Sequence, residues 1–198
     1  MAQQALKSTF VNLESKKILK AAKFLTKVDK IQIYGRGASL LIAEDFHYKL
    51  LRLGFNSSLE SLNGFQEVVN TRLNKKISTA AIIISQYCNS QQVHYIIDEL
   101  ANIKIPFIII TAQEDLFPYD KFAKIVFKVP TSESREKIGS FASRISMQYL
   151  LDCIYGQIFS LTTNKISEIY KITLNVKPNV NIITAINKSN SKSPLKVT

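Results

Sequence analysis

The chain has 198 residues, 46% of them apolar and 21% charged, with 26 Lys+Arg against 15 Asp+Glu, 2 Cys and no Trp. Such a length and apolar fraction describe one soluble globular domain able to bury a core, and exclude disordered, collagen-like and coiled-coil chains. The net charge of +11 invites a nucleic-acid reading, but residues 1–30 hold seven lysines against two acids, residues 169–198 five lysines and no acid, and residues 31–168 a near balance of 14 basic and 13 acidic, which reads as a solvated helix face and a solvated tail on a nearly neutral body.

In chain order, Leu6, Phe10 and Leu13, then Ile18, Leu19, Ala22, Leu25 and Val28 recur at helical spacing with a break near Asn12 to Ser15, predicting one or two amphipathic helices. Lys7 and Glu14 interrupt what a signal peptide would keep apolar, which points to the cytoplasm. KIQIYG at residues 30–35 alternates as a strand ending at Gly35, and Leu40, Leu41, Ala43, Phe46, Leu50, Leu51 and Leu53 form a helical stripe over Ser39 to Leu53, with Gly54 as its C-terminal stop. A polar stretch, Phe55 to Asn63, leads to a weaker helix around Phe65 to Leu73 and a turn at residues 74–76. Thr79 to Ile84 has the β-branched composition of a buried parallel strand and is followed by SQYCNSQQ and a helix through Val93, Ile96, Ile97, Leu100 and Ile103.

Pro106 to Thr111 predicts a third buried strand and Lys124 to Val129 a fourth, after the loop AQEDLFPYD. Alternating strands and helices imply a parallel sheet covered on both faces. Lys137 to Leu161 is the longest helix candidate, apolar over so broad a face that it needs partners on more than one side, in a dimer interface or between other helices. The basic tail dissolves into KSNSKSPLKVT, with residues 187–198 expected to be loose or partner-bound. The organisation predicted is therefore residues 1–29 as N-terminal helices, 30–165 as the main domain and 166–198 as a basic extension. The longest apolar runs, Ala80 to Ile84 and Ile105 to Ile110, are far short of the ~18 residues of a membrane span. Cys88 and Cys153 show neither CxxC spacing nor His/Cys clustering, so no disulfide framework, metal site or cofactor is expected.

Two loops carry the candidate chemistry. Gly35-Arg36-Gly37-Ala38-Ser39 joins a strand to a helix, lacks the third glycine of a dinucleotide fingerprint because residue 40 is Leu40, and lacks the Lys-Ser/Thr of a P-loop. Its two glycines allow backbone N–H groups to approach an anion, and Ser39 at a helix start reads either as an anion contact or as a plain N-cap. Ser85-Gln86-Tyr87-Cys88-Asn89-Ser90 occupies the same place after the second strand. Ligands of open parallel sheets sit beyond the carboxyl ends of strands, so the two loops together suggest a phosphate site.

IYGRGAS…AEDFHYKLLRLG, the strand with its SQ…S loop, IIIT, the VP-T-S-E-S-R loop and ASR…LLDCIYGQIF, taken together over about residues 12–161, resemble a SIS (sugar isomerase) domain. More narrowly, the chain resembles the C-terminal effector domain of RpiR-family bacterial transcriptional regulators. The resemblance implies a flavodoxin-like, doubly wound α/β fold, a three-layer α/β/α sandwich around a five-stranded parallel sheet. It also implies a homodimer that binds a sugar phosphate or related carbohydrate derivative, and DNA contact only through a separate helix-turn-helix domain, for which residues 1–30 are too few.

The family's GxGxS motif falls on Gly35, Gly37 and Ser39, the serine lying against phosphate in the family. Its S-x-S-G-x-T/S motif falls on Ser85, Tyr87, Cys88 and Ser90, with Gln86 between the first two. Ser85 and Ser90 keep the terminal hydroxyls. Tyr87 replaces the middle serine with bulk, and Cys88 places a side chain where the family has glycine and a close backbone approach. The family's acidic residue after the last core strand matches Glu133, beside Arg135. In a receptor Glu133 hydrogen-bonds sugar hydroxyls; in an aldose–ketose isomerase it is the base, with His47 a candidate partner for ring opening. His94 has a weaker claim. The implied function is a non-catalytic sugar-phosphate effector domain, with an isomerase or a degenerate SIS dimerisation module as the alternatives.

Overall fold

Two runs of β-branched residues set the centre of the molecule. In the computed structural model, which describes residues 2–62, 77–130 and 142–174 with side chains to Thr163, Thr79–Ile84 (β3) and Phe107–Thr111 (β4) are buried at every position. Strands enclosed on both faces pair in parallel, because the helical crossovers that parallel pairing requires are also what covers them. β1 (Lys30–Gly35) and β5 (Ile125–Lys128) follow the sequence reading to within a residue or two. The strand order is β2-β1-β3-β4-β5, all parallel, with Gly35 in register with Ile84 and Ile110 with Phe127.

The edge strand β2 (Ser57–Ser61, SSLES) is a correction, since the sequence predicted only a polar stretch there. Its register runs Ile31↔Ser57 to Gly35↔Ser61. At the edge of a sheet one flank has no neighbour, so hydrogen-bonding to β1 makes the strand while its side chains stay half exposed and polar. That strand completes the fifth position the family resemblance implied.

Among the described residues five α-helices accompany the sheet: α1 (Ala2–Asn12), α2 (Ser15–Leu25), α3 (Ala38–Arg52), α4 (Gln91–Asn102) and α5 (Ala142–Leu174). On one face Tyr34, Ala81, Ile83, Phe107 and Ile109 pack with Val93, Ile96, Ile97 and Leu100 of α4. α3 covers the other face, where Gly35, of opposite parity to Tyr34, lies against Ser39, Leu40 and Ala43. The architecture is thus the predicted α/β/α arrangement. Gly54, at φ 78, closes α3: the Phe55 N–H donates to the Leu50 carbonyl at 3.1 Å and the Gly54 N–H to the Leu51 carbonyl at 2.9 Å.

Residues 1–162 form one compact unit and residues 163–198 a second. Within the first, α1 and α2 bury Ala5, Thr9, Ile18, Ala21, Ala22 and Leu25, and α5 buries both Leu150 and Leu151 as well as Ile154 and Ile158. The broad apolar face of α5 is therefore met largely within the chain. Its observed extent also corrects the predicted end at Leu161, because the helix continues to Leu174. The predicted helix near Phe65 to Leu73, residues 137–141 and the tail at 187–198 lie outside the described residues.

Two buried polar atoms, Gln32 Nε2 and the Tyr34 hydroxyl, have no hydrogen-bond partner among the described residues. Tyr34 is fully buried, and burial, reinforced by the Glu60 carboxylate, holds its ionisation well above the ordinary tyrosine range. An unsatisfied buried hydroxyl costs about 1–3 kcal/mol, whereas the ring contributes its apolar area regardless. Tyr34→Phe is accordingly expected to raise stability by about 1 kcal/mol. Urea unfolding of both proteins checks this, and a loss above 1 kcal/mol in Tyr34→Phe would count against it.

Candidate functional site

The order 2-1-3 places the reversal of winding between β1 and β3, where a crevice opens beyond the strand ends. Because Gly35 and Ile84 are paired, the loops that follow them lie side by side. A side-chain bond also links the first loop to α4, as the Arg36 guanidinium donates to Gln92 Oε1 at 2.9 Å.

In the first loop Gly35 is required by space. A Cβ there would stand 3.0 Å from Leu40 Cα and from the Ser39 carbonyl oxygen, and 3.1 Å from Ala43 Cβ. Gly37 is required by conformation, at φ 55 and ψ −127, with open space around it. Gly37 also occupies the N-cap position of α3, which corrects the N-cap reading of Ser39: Ser39 is the second helical residue, buried, and no side chain caps the helix. The turn at Gly37 starts the helix a residue early and places Ser39 within its first turn, where the dipole favours negative charge.

The second loop is held chiefly by its own bonds. The Cys88 N–H donates to Ser85 Oγ at 3.2 Å, and the Val93 N–H to Ser90 Oγ at 3.3 Å, which makes Ser90 the N-cap of α4. The Gln86 carbonyl accepts from Thr111 Oγ1 and from the Ala112 N–H, both at 3.0 Å, so the end of β4 clamps the loop from the far side. Gln86 Nε2 donates to Tyr87 Oη at 3.1 Å, and Tyr87 is half-buried. Both serine hydroxyls accept a backbone N–H here.

Cys88 sits at φ 47. It therefore adopts the left-handed conformation that glycine would take at this point of the family motif, at a cost of roughly 1–2 kcal/mol for a residue with a Cβ. Its side chain is buried in the α4-side core with Tyr34 and Val93, Sγ lying 3.8 Å from the Ser85 carbonyl. The thiol thus faces the core while the loop backbone keeps the left-handed turn. Burial, only partly offset by hydrogen bonds to Thr111 and Ser85, pushes the Cys88 thiol up and keeps it protonated at neutral pH.

His94 Nε2 lies 2.8 Å from the Cys88 carbonyl, and its ring stacks on Tyr119 with centroids 4.5 Å apart, so it braces the loop. His47 lies elsewhere. It is nine residues along α3 from Ala38, roughly 13 Å from the crevice end, and its Nδ1 is 2.9 Å from Ser57 Oγ at the amino end of β2. Placing His47 with the two loops is a further correction, with the direction of the parallel strands as its reason. Glu133 and Arg135 lie outside the described residues. Among the described residues no group of three or more His, Cys, Asp or Glu side chains could hold a metal ion.

Gly35, Gly37, Ser39, Ser85, Gln86, Tyr87 and Ser90 all belong to two loops at the β1/β3 strand ends, which contain one charged residue, Arg36, and no carboxylate. Sequence reasoning passed over Arg36 as the variable position of GxG, and missed Thr111 as the clamp. The first signal was visible as a lone cation within a candidate anion loop. The second needed the strand order, since 25 residues separate Thr111 from Gln86.

The SIS domain family model matches residues 24–154. Among solved structures, the Vibrio vulnificus NanR protein complexed with ManNAc-6P is similar at a TM-score of 0.73 and 17% identity, over 90% of this chain and 69% of that one. The sugar isomerase domain of an RpiR transcription factor from Sphaerobacter thermophilus gives 0.72 and 14%, over 88% and 96%. A Methanococcus jannaschii protein whose structure was taken to infer 3-hexulose-6-phosphate isomerase activity gives 0.64 and 24%, over 85% and 90%. At these identities the likeness establishes the fold, which regulators and isomerase-like proteins share.

Proposed function

The chain belongs to the SIS domain family, and on that premise we propose that it is the sugar-phosphate receptor domain of an RpiR-type transcriptional regulator, cytoplasmic and without catalysis of its own. The observation that carries this reading is the meeting of two hydroxyl-bearing loops at the β1/β3 switch point around one cation, Arg36, with no carboxylate in either loop. A phosphate monoester is recognised by donors directed at its oxygens and by positive potential. Ser39, Ser85 and Ser90 with the glycine-loop backbone supply the first, and Arg36 and the starts of α3 and α4 the second. Gln86 and Tyr87 line the sugar side, and Glu133 hydrogen-bonds sugar hydroxyls. The receptor reading is favoured over an isomerase because His47 is engaged with Ser57 at the far end of β2.

Phe10 and Val11 of α1 and Leu41 and Tyr48 of α3 are more than half exposed. Apolar side chains of this size on two helices suit a homodimer interface. In this reading the ligand favours one dimer geometry over another and so sets the spacing of attached helix-turn-helix domains. The test is thermal unfolding with a panel of sugar phosphates, amino-sugar phosphates and inorganic phosphate. A ligand at about 100 times its Kd adds ~2.7 kcal/mol, equivalent to roughly 5–10 °C for a chain of this size. Stabilisation by one sugar phosphate, without its turnover, is the expected result. No response to any member of the panel would overturn the receptor reading, and turnover would replace it with the isomerase.

A further inference from the structure

The lysines near the amino terminus, scattered in the sequence, converge in the fold. α2 turns Ile18, Ala21, Ala22 and Leu25 inward, which leaves Lys16, Lys20 and Lys23 on its outer face at spacings of four and three residues. Lys27 follows in the next turn, and Lys124, just before β5, closes the far side, with Nζ 5.1 Å from the Phe24 ring centroid. These five residues, with half-buried Leu19 and Phe24 as the floor, line a groove of about 470 Å³. All five are exposed, no carboxylate lines the groove, and none of the five pairs with an Asp or Glu among the described residues.

Unneutralised cations gathered on one rigid face concentrate counterions, and a polyanion gains free energy by displacing them. We propose that this groove binds the phosphate backbone of a nucleic-acid duplex, a surface separate from the sugar-phosphate crevice. A helix fixes the lysine spacing, with roughly 10 Å along its axis from Lys16 to Lys23, and a fixed row matches a stiff phosphate ladder better than a flexible strand. Single-strand binders add free aromatic platforms, whereas the groove's one aromatic ring, Phe24, is half-buried and covered by Lys124. A membrane-bound face projects apolar side chains outward between its lysines. Here Leu19 and Phe24 form the floor of a concavity.

The test is fluorescence anisotropy of a labelled 16-base-pair random-sequence DNA duplex with the full chain, across 50–200 mM salt. Five phosphate contacts predict a slope of log K on log salt near −4.5, at about 0.9 per contact, so that fourfold more salt weakens binding by several hundredfold. In the combined variant Lys16→Gln, Lys20→Gln and Lys23→Gln the slope is expected to fall by about 2.7. The three side chains are exposed, so circular dichroism and the thermal response to sugar phosphates should be unchanged, which keeps this test independent of the receptor reading. Absence of duplex binding at 50 mM salt, or an unchanged slope in the variant, overturns the proposal. So does lysine-dependent binding to vesicles of 30% phosphatidylserine in phosphatidylcholine without duplex binding, which would assign the groove to a membrane surface.

Discussion

Gly35→Val is expected to destabilise the fold by about 3 kcal/mol, at the upper end of what overpacking a core costs. The cause is local. Gly35 is the last residue of β1 and the point where α3 turns back onto the sheet, so the first added carbon already meets Leu40 Cα and the Ser39 carbonyl at 3.0 Å. Those are backbone atoms of the helix start and cannot swing aside as a flexible side chain would. Valine adds two methyl groups to that contact, so α3 must lift from the strand, and Ser39 moves with it. Gly37 provides the contrast, since a Cβ there meets nothing within 4 Å and substitution costs only backbone strain. Urea unfolding measures the difference, and a change within 0.5 kcal/mol would show that the helix–strand contact is looser than these distances imply.

Arg36→Gln is expected to weaken sugar-phosphate binding by tenfold to a hundredfold with little effect on stability. Arg36 is exposed, so its bond to Gln92 contributes modestly to the fold. A charge-assisted hydrogen bond to phosphate is worth about 1.5–3 kcal/mol, which corresponds to that range in Kd. Cys88→Gly serves as the internal comparison. Its thiol faces the core and its backbone already holds the glycine turn, so affinity should change by less than about threefold, as no ligand contact is altered. Calorimetric titration of the three proteins with the stabilising sugar phosphate distinguishes them. Equal affinity of Arg36→Gln and the unmodified protein would remove Arg36 from the site.

Much of this was legible in the residues themselves. Thr79–Ile84 and Phe107–Thr111 are short, continuous and β-branched, and Gly35 and Gly54 punctuate the strand and the helix between them. Buried parallel strands leave this signature because both faces must be apolar. The edge strand Ser57–Ser61 left none, as its pairing is made by main-chain atoms that every residue carries. The family resemblance supplied the count of five strands that the composition of SSLES could not.

The candidate loops were likewise visible as short polar segments after strands, and their motif pattern named Ser39, Ser85 and Ser90 as ligand candidates. Which way each side chain turns was not visible. Cys88 reads in sequence as an obstruction, and only the structure shows its positive φ and its place in the core. His47 reads as a neighbour of the first loop, but the helix carries it to the amino end of the sheet.

Charge divides in the same way. Counted along the chain, the lysines of residues 1–30 look like a solvated face, and no count distinguishes that from a binding surface. Helix α2 sets Lys16, Lys20 and Lys23 on one face, but Lys124 is a hundred residues away and joins them only because β5 begins beside α2. By itself, the sequence determined the buried strands, the helices that follow them, the parallel α/β class and the two polar loops at the strand ends, because burial and turn chemistry act over a few residues. The tertiary structure alone decided the edge strand, the inward thiol, the distant histidine and the lysine groove, since each depends on distances between segments that spacing along the chain does not encode.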